Sequence, residues 1–507
     1  MRGVLQMLVI GLGVLIAPGL LVAQEAGPSA SASQFEWAPC PFDTTSIDAA
    51  GLRCGYLVVP EHRGQKDARS VRVAVAVWTP ANAAPDPVVL LPGGPGGAPL
   101  PRFIQRFRQW VPPDRAVIVF DPRGTGYSGG PMCPELGDTY SDIAALDVPA
   151  ATASSLRLGA QLTCRNRLLR EEIDLGGYNS TSVALDLRDL RKALGYRQWN
   201  LVGASYGVPF GRAAMRVDEQ GVRSAVLGFG PGPDLEQLLT RDVPFFHRAL
   251  NRVFRGCEAE PACVGRFPRL EEEFYQTYDL LQEDPFTISV DPDEFRSPVF
   301  TVNSQDFVEM VYWLLSSETD VAHVPAILRA FHDREADVVR RLVEDSYGGQ
   351  SSFSSGMGIS VTCYDAHTPE SWSAWQTAAA PHPDALSAIP YYLLPCDSWS
   401  AGRASPEERS PPVSRVPALV VQGEFDPMNP PQVGIEHLRS LAAGHLIVIP
   451  GLGHMPGSRS SECWAQLVQQ FIESPHEPLD ASCTEDLPPV RMRPGLPGWA
   501  DPAANRQ

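Results

Sequence analysis

The chain has 507 residues, 44% hydrophobic and 20% charged, with 49 Pro and 43 Gly. This is the composition of a folded protein too long for one ordinary core, and it excludes a low-complexity chain. The formal net charge of −18 argues against a nucleic-acid partner, because neutralising phosphates requires a basic surface.

The chain opens with Arg2, an apolar run from Val4 to Val22, then Ala23 and the polar Gln24-Glu25. This order of charge, apolar stretch and small residue predicts a signal peptide over 1–23. An uncleaved anchor is the competing reading, but Gly11, Gly13, Pro18 and Gly19 weaken a permanent membrane helix. The expectation is an exported protein, periplasmic or extracellular, with no stable membrane insertion after cleavage. Ten cysteines suit that compartment. They fall into five sequential pairs, and the simplest pairing is Cys40–Cys54, Cys133–Cys164, Cys257–Cys263, Cys363–Cys396 and Cys463–Cys483. Zinc is disfavoured because no CxxC pair or flanking His doublet occurs.

From 35 to 230, short apolar runs alternate with helical periodicity, which predicts an α/β fold with a mostly parallel sheet. The strand candidates are Gly55–Val59, Val71–Trp78, Val88–Leu91, Ala116–Phe120, Trp199–Val202 and Ala225–Leu227. From 231 to 412 helical patterns dominate, at Leu235–Arg255, Arg269–Leu281 and Val321–Glu344. Strand signals return at Ala418–Val421 and His445–Ile449, before an amphipathic helix near Glu462–Ile472. The expected organisation is a discontinuous catalytic domain, 35–230 and 413–486, interrupted by a helical cap over 231–412. The Pro-rich tail 487–507 is expected to be loose.

Gly203-Ala204-Ser205-Tyr206-Gly207 places GxSxG between a strand and a helical run. A turn this tight tolerates only small residues two before and two after the serine, and it lifts the hydroxyl clear of the sheet. The pentapeptide alone is a weak signal, and its strand-turn-helix context strengthens it. Upstream, Pro92-Gly93-Gly94-Pro95-Gly96-Gly97 follows a strand. Glycines there let backbone N–H groups approach an oxyanion. A phosphate loop is the alternative, but the Lys-Ser/Thr ending and the GxGxxG spacing are missing. The remaining partners of such a serine follow it in the order acid, then histidine. Asp426, after Ala418–Val421, and His454, after Ile447–Ile449, meet that order at strand ends. Each alone reads as a plain loop residue; together after Ser205 they form a candidate catalytic set.

These motifs, with Asp121-Pro122-Arg123-Gly124-Thr125-Gly126, Gly423-Glu424-Phe425-Asp426-Pro427 and the run from Gly453-His454 to Cys463 and Cys483, resemble the tripeptidyl aminopeptidase and proline iminopeptidase branch of the α/β-hydrolases. The likeness spans Cys40 to Cys483. It implies an α/β-hydrolase fold with a helical cap, and an exported peptidase that releases short peptides or single residues from free N-termini. It also implies an oxyanion hole built from the N–H groups of Gly94 and Tyr206. Three positions depart from the family pattern. Pro92 stands where His is frequent, Leu227-Gly228-Phe229 replaces Leu-Asp-Gly, and Asn429 occupies a position often held by Thr.

The expected chemistry is acyl transfer on Ser205, with His454 as base and Asp426 orienting it, and no cofactor or metal is needed. Peptides are the expected substrates. A carboxylic-ester hydrolase and an inert binding protein on the same scaffold are the alternatives. An exopeptidase needs a carboxylate in the capped pocket to receive the substrate ammonium group. Asp365, tethered through Cys363, is the first candidate for it, followed by Asp234 and Glu236.

Overall fold

Short runs rich in Val, Ile and Leu, bounded by Gly and Pro, become buried strands. In the computed structural model they form one nine-stranded sheet. The structure describes residues 34–45, 50–100, 108–237, 240–348, 353–382 and 395–499; the segment 1–23, expected to be a signal peptide, lies outside them.

The strands are β1 (Gln34–Ala38), β2 (Leu52–Pro60), β3 (Ser70–Trp78), β4 (Val88–Leu91), β5 (Val117–Phe120), β6 (Trp199–Ala204), β7 (Val222–Gly228), β8 (Phe286–Ser289), β9 (Val299–Val302), β10 (Ala418–Gly423) and β11 (Gly444–Ile449). The sheet order is β1-β2-β3-β5-β4-β6-β7-β10-β11. Pairing is antiparallel from β1 to β5 and parallel from β5 to β11. Side chains alternate between two cores, as a two-residue period requires. Val89 and Leu91 of β4 enter the core beneath the helices Ser180–Ala193 and Gly207–Val217. Val88 and Leu90 enter the opposite core, with Trp464, Leu467 and Phe471 of the helix Ser461–Glu473.

The segment between β7 and β10 divides in two. Helices Asp242–Ala259, Leu270–Glu283, Ser304–Ser316, Val324–His332 and Ala336–Tyr347, with the hairpin β8–β9, enclose a core of their own around Phe274, Phe300, Phe307 and Phe331. The helix Ser355–Asp365 instead packs Met357, Ile359 and Val361 into the core beneath the sheet. Two helices expected from the sequence differ from those observed. The pattern over Val321–Glu344 is broken at Arg334, whose φ of 56° is left-handed and ends the helix Val324–His332. The stretch from Leu235 starts as a single 3₁₀ turn, and its α-helix begins at Asp242.

The tail expected to be loose is packed as far as it is described. Met492 is buried in the core of the insertion. The Arg493 N–H donates to the Ala322 carbonyl at 2.7 Å, and Trp499 Nε1 donates to Asp320 at 3.1 Å. Proline content signals missing helix, not missing contacts, which is why composition alone misjudges the segment.

The ten cysteines pair as Cys40–Cys54, Cys133–Cys164, Cys257–Cys263, Cys363–Cys396 and Cys463–Cys483. Non-reducing peptide mapping is expected to return these five pairs and no free thiol. A crossed pair would reject the pattern. Loops of these lengths stabilise by about 2–4 kcal/mol each, so full reduction should lower Tm markedly.

Candidate functional site

β6 ends at Ala204, and the helix Gly207–Val217 starts three residues later. The turn between them holds Ser205 at φ 54°, in the left-handed region a non-glycine residue rarely occupies. Its N–H is tied to the Gly228 carbonyl of β7 at 3.0 Å. Gly207 is required by contact, because a Cβ there would lie 2.2 Å from the Leu91 carbonyl oxygen. A Cβ at Gly93 would likewise come within 2.9 Å of Ser205 Cβ, so only glycine lets the loop after β4 approach the serine this closely.

The Ser205 hydroxyl donates to His454 Nε2 at 2.9 Å, and His454 Nδ1–H donates to Asp426 Oδ2 at 2.9 Å. Asp426 is wholly buried, and its Oδ1 accepts the N–H groups of Met428 and Asn429 at 2.8 and 2.9 Å. Two donors on one oxygen leave the other aimed at the imidazole, which selects the tautomer protonated at Nδ1. The His454 loop is anchored from the insertion, since its N–H donates to the Ser316 carbonyl at 2.8 Å. The Gly94 and Tyr206 N–H groups have no acceptor among the described residues. A hydroxyl, an imidazole able to take its proton and a carboxylate behind it can perform nucleophilic acyl transfer.

Two of the departures from the family pattern meet in space. Asn429 Nδ2 donates to the Phe229 carbonyl at 2.9 Å, tying the loop that carries Asp426 to the end of β7. The Asp-Pro-Arg-Gly segment after β5 is structural. Asp121 accepts from the Leu100 and Tyr127 N–H groups at 3.0 and 2.8 Å, and burial pushes its carboxyl up to about 6. Arg123 is fully buried and makes a bidentate pair with Asp186 at 2.8 and 2.6 Å.

Ser205 and His454 open onto a cavity of about 340 Å³ whose wall includes Arg157, Glu309, Trp313, Tyr347 and Phe353. Glu309 lies on the helix Ser304–Ser316 and is half-buried. The Tyr347 hydroxyl lies 3.1 Å from both Glu309 Oε2 and Asp306 Oδ1. Burial pushes the Asp306 carboxyl up to about 8, with the neighbouring Glu309 charge adding to the rise and the Asn303 N–H opposing it. Burial also raises Glu309, while Arg157 lowers it.

The carboxylates expected from the sequence to face the substrate do not line this cavity. Asp365 is buried beneath the turn that carries Ser205. It accepts from the Ser180 hydroxyl, from the Ser180 N–H at 3.4 Å and from the Tyr206 hydroxyl at 3.1 Å. Burial raises it to about 6 against those hydrogen bonds. Its disulfide tether does hold it, but the helix Ser355–Asp365 turns it toward the core side of the turn that carries Ser205. Asp234 is held within its own turn, its side chain accepting from Gln237 Nε2 at 2.7 Å. The side chain of Glu236 lies outside the described residues. Sequence reasoning missed Glu309 because it missed the helix Ser304–Ser316. The signal was present: Asn303 and Asp306 form a capping box immediately before an apolar run.

The chain belongs to the alpha/beta hydrolase fold family, whose pattern matches residues 86–457. It is an enzyme of that fold. Among curated relatives, it is similar to a tripeptidyl aminopeptidase of Streptomyces lividans, at 23% identity over 83% of this chain and 81% of that protein. It is similar to the serine protease Hip1 of Mycobacterium tuberculosis, at 24% identity over 86% of this chain and 88% of that protein. It is also similar to a carboxylesterase B of the same species, at 25% identity over 95% of this chain and 93% of that protein.

Proposed function

We propose that this protein is an exported serine peptidase that removes short peptides or single residues from free N-termini. The observation that carries the reading is one cavity that holds Ser205 and His454, hydrogen-bonded on to Asp426, together with the Glu309 carboxylate, which Tyr347 links to the buried Asp306. Relatives named tripeptidyl aminopeptidase and serine protease support it. The five disulfides and the N-terminal apolar segment support export to the periplasm or medium. Among the described residues no helix is long and apolar enough to cross a membrane.

In this mechanism Ser205 Oγ attacks the scissile carbonyl as its proton passes to His454 Nε2. The Gly94 and Tyr206 N–H groups receive the oxyanion, each donor contributing about 3 kcal/mol. His454 then protonates the leaving amine, and water, deprotonated by the same imidazole, releases the acyl group. Glu309, paired through Tyr347 with Asp306, receives the substrate ammonium group. A carboxylate there rewards the charge of a free N-terminus. A carboxylic-ester hydrolase is the second reading, favoured by the relative named carboxylesterase B.

The deciding experiment compares matched peptides with free and acetylated N-termini. Glu309→Gln is expected to lower kcat/KM for free-amine peptides by about 2–4 kcal/mol and so collapse the free-to-acetylated ratio. A carboxylate raised by burial is neutral below its pKa in the folded protein. The ammonium contact therefore weakens as pH falls through that value and strengthens as pH rises. KM for free-amine peptides should fall as pH rises through the Glu309 pKa, until the α-amine begins to lose its own proton near pH about 8. Equal cleavage of free and acetylated peptides by the unmodified enzyme would transfer the assignment to the esterase or an endopeptidase.

A further inference from the structure

Ser205 and His454 open onto a second cavity, of about 410 Å³, which shares with the acidic one only Gly94, Ser205, Phe353 and His454. Its wall is apolar: Trp110, Trp464 and Met455, with Pro92, Pro99 and Val202, and no Asp, Glu, Lys or Arg among its described lining. Trp110 and Trp464 are almost wholly buried, with rings edge to face at 6.0 Å. Protein interiors pack like organic crystals, so a space of this size inside a core gives up many contacts. Spaces of about 300–1,000 Å³ with apolar walls are the size and character of ligand sites. One wall residue also carries an unmet hydrogen-bonding group. The Trp464 indole N–H is buried with no acceptor among the described residues, a condition native interiors rarely leave uncorrected.

We infer that this apolar cavity is the subsite for the residue on the leaving side of the scissile bond, and that it selects a bulky apolar side chain there. The inference rests on the proposed roles of Ser205 and Glu309. The acidic cavity takes the ammonium end, which belongs to the acyl portion retained on Ser205. The two cavities share only Gly94, Ser205, Phe353 and His454 among their described lining, so a substrate with its carbonyl at Ser205 and its ammonium end in the acidic cavity directs its leaving side toward the second one. The side chain that enters the apolar space is therefore the first one beyond the bond.

The test uses free-amine peptides that differ only in the residue after the scissile bond, Gly, Ala, Leu or Phe, with fragments identified by mass spectrometry. Leu and Phe are expected to exceed Gly in kcat/KM by about 10-fold or more, the discrimination an apolar pocket supplies for a few methylenes. Met455→Trp narrows the space and should lower the Phe-to-Gly ratio by about 10-fold. Met455→Ala widens it and should hold or raise that ratio, so the pair remains informative if one variant fails to fold. A Phe-to-Gly ratio within about twofold in the unmodified enzyme would overturn the inference, as would selectivity that follows the residue before the bond. Acetylated copies of the same peptides separate the two claims. Lost amine dependence with retained Phe preference defeats the aminopeptidase reading alone. Retained amine dependence with no preference after the bond defeats this subsite alone.

Discussion

Replacement of Ser205 by Ala is expected to lower kcat by about 10⁵–10⁶ on peptides and esters alike. The proposed reaction divides one difficult hydrolysis into two easier steps through an acyl-enzyme, and alanine has no oxygen to carry the acyl group. What survives is stabilisation by the oxyanion donors and by binding, about 10³–10⁴ over water in a comparable serine hydrolase. The turn is strained at φ 54°, and alanine suffers the same steric strain there as serine, so folding should be preserved. The check is single-turnover hydrolysis together with loss of labelling by a serine-directed phosphonate. Retention of a few percent of activity in a clean preparation would show that another group is the nucleophile.

Asp426→Asn is expected to lower kcat by about 10⁴ with little change in KM. The magnitude is borrowed from the equivalent substitution in a serine protease; the direction follows from the local hydrogen bonds. Asp426 Oδ1 is occupied by two N–H donors, from Met428 and Asn429. An asparagine must place its carbonyl oxygen toward those donors, which turns its NH₂ group toward His454 Nδ1. Two donors cannot face each other, so the imidazole shifts its proton to Nε2 and can no longer accept one from Ser205. A proton on the wrong nitrogen, not loss of position, is the defect. A variant whose kcat stays within about tenfold of the unmodified enzyme would show that Asp426 does not set the tautomer.

The difference between what could be read early and what could not follows particular residues. Ser205, Asp426 and His454 each follow a strand by a few residues, and such strand-to-loop transitions leave marks within a few positions of sequence. Their order along the chain added a constraint that no single motif carries. Asp365 was misjudged although its tether through Cys363 is real. A disulfide restricts how far a residue can move but not which way its side chain faces. Asp365 faces Ser180 and Tyr206, which are 185 and 159 positions away. Glu309 was missed with its helix, although the capping box that starts that helix is local; even with the helix in hand, nothing nearby tells which of its sides meets Ser205.

By itself, then, the sequence determined the alternation of strands and helices, the tight turn at Ser205, and the order of Ser205, Asp426 and His454 along the chain. Those features depend on backbone sterics and a two-residue or 3.6-residue period, which act over a handful of residues. The tertiary structure alone decided that the helix Ser304–Ser316 brings Glu309 to the cavity and its terminal carbonyl to the His454 N–H. It also placed Asp365 beneath the nucleophile turn and set an apolar space opposite the acidic one. Contacts between segments more than a hundred residues apart arise from how the insertion packs over the sheet. That packing is selected by the shape and burial of many side chains together, and no short stretch of chain records it.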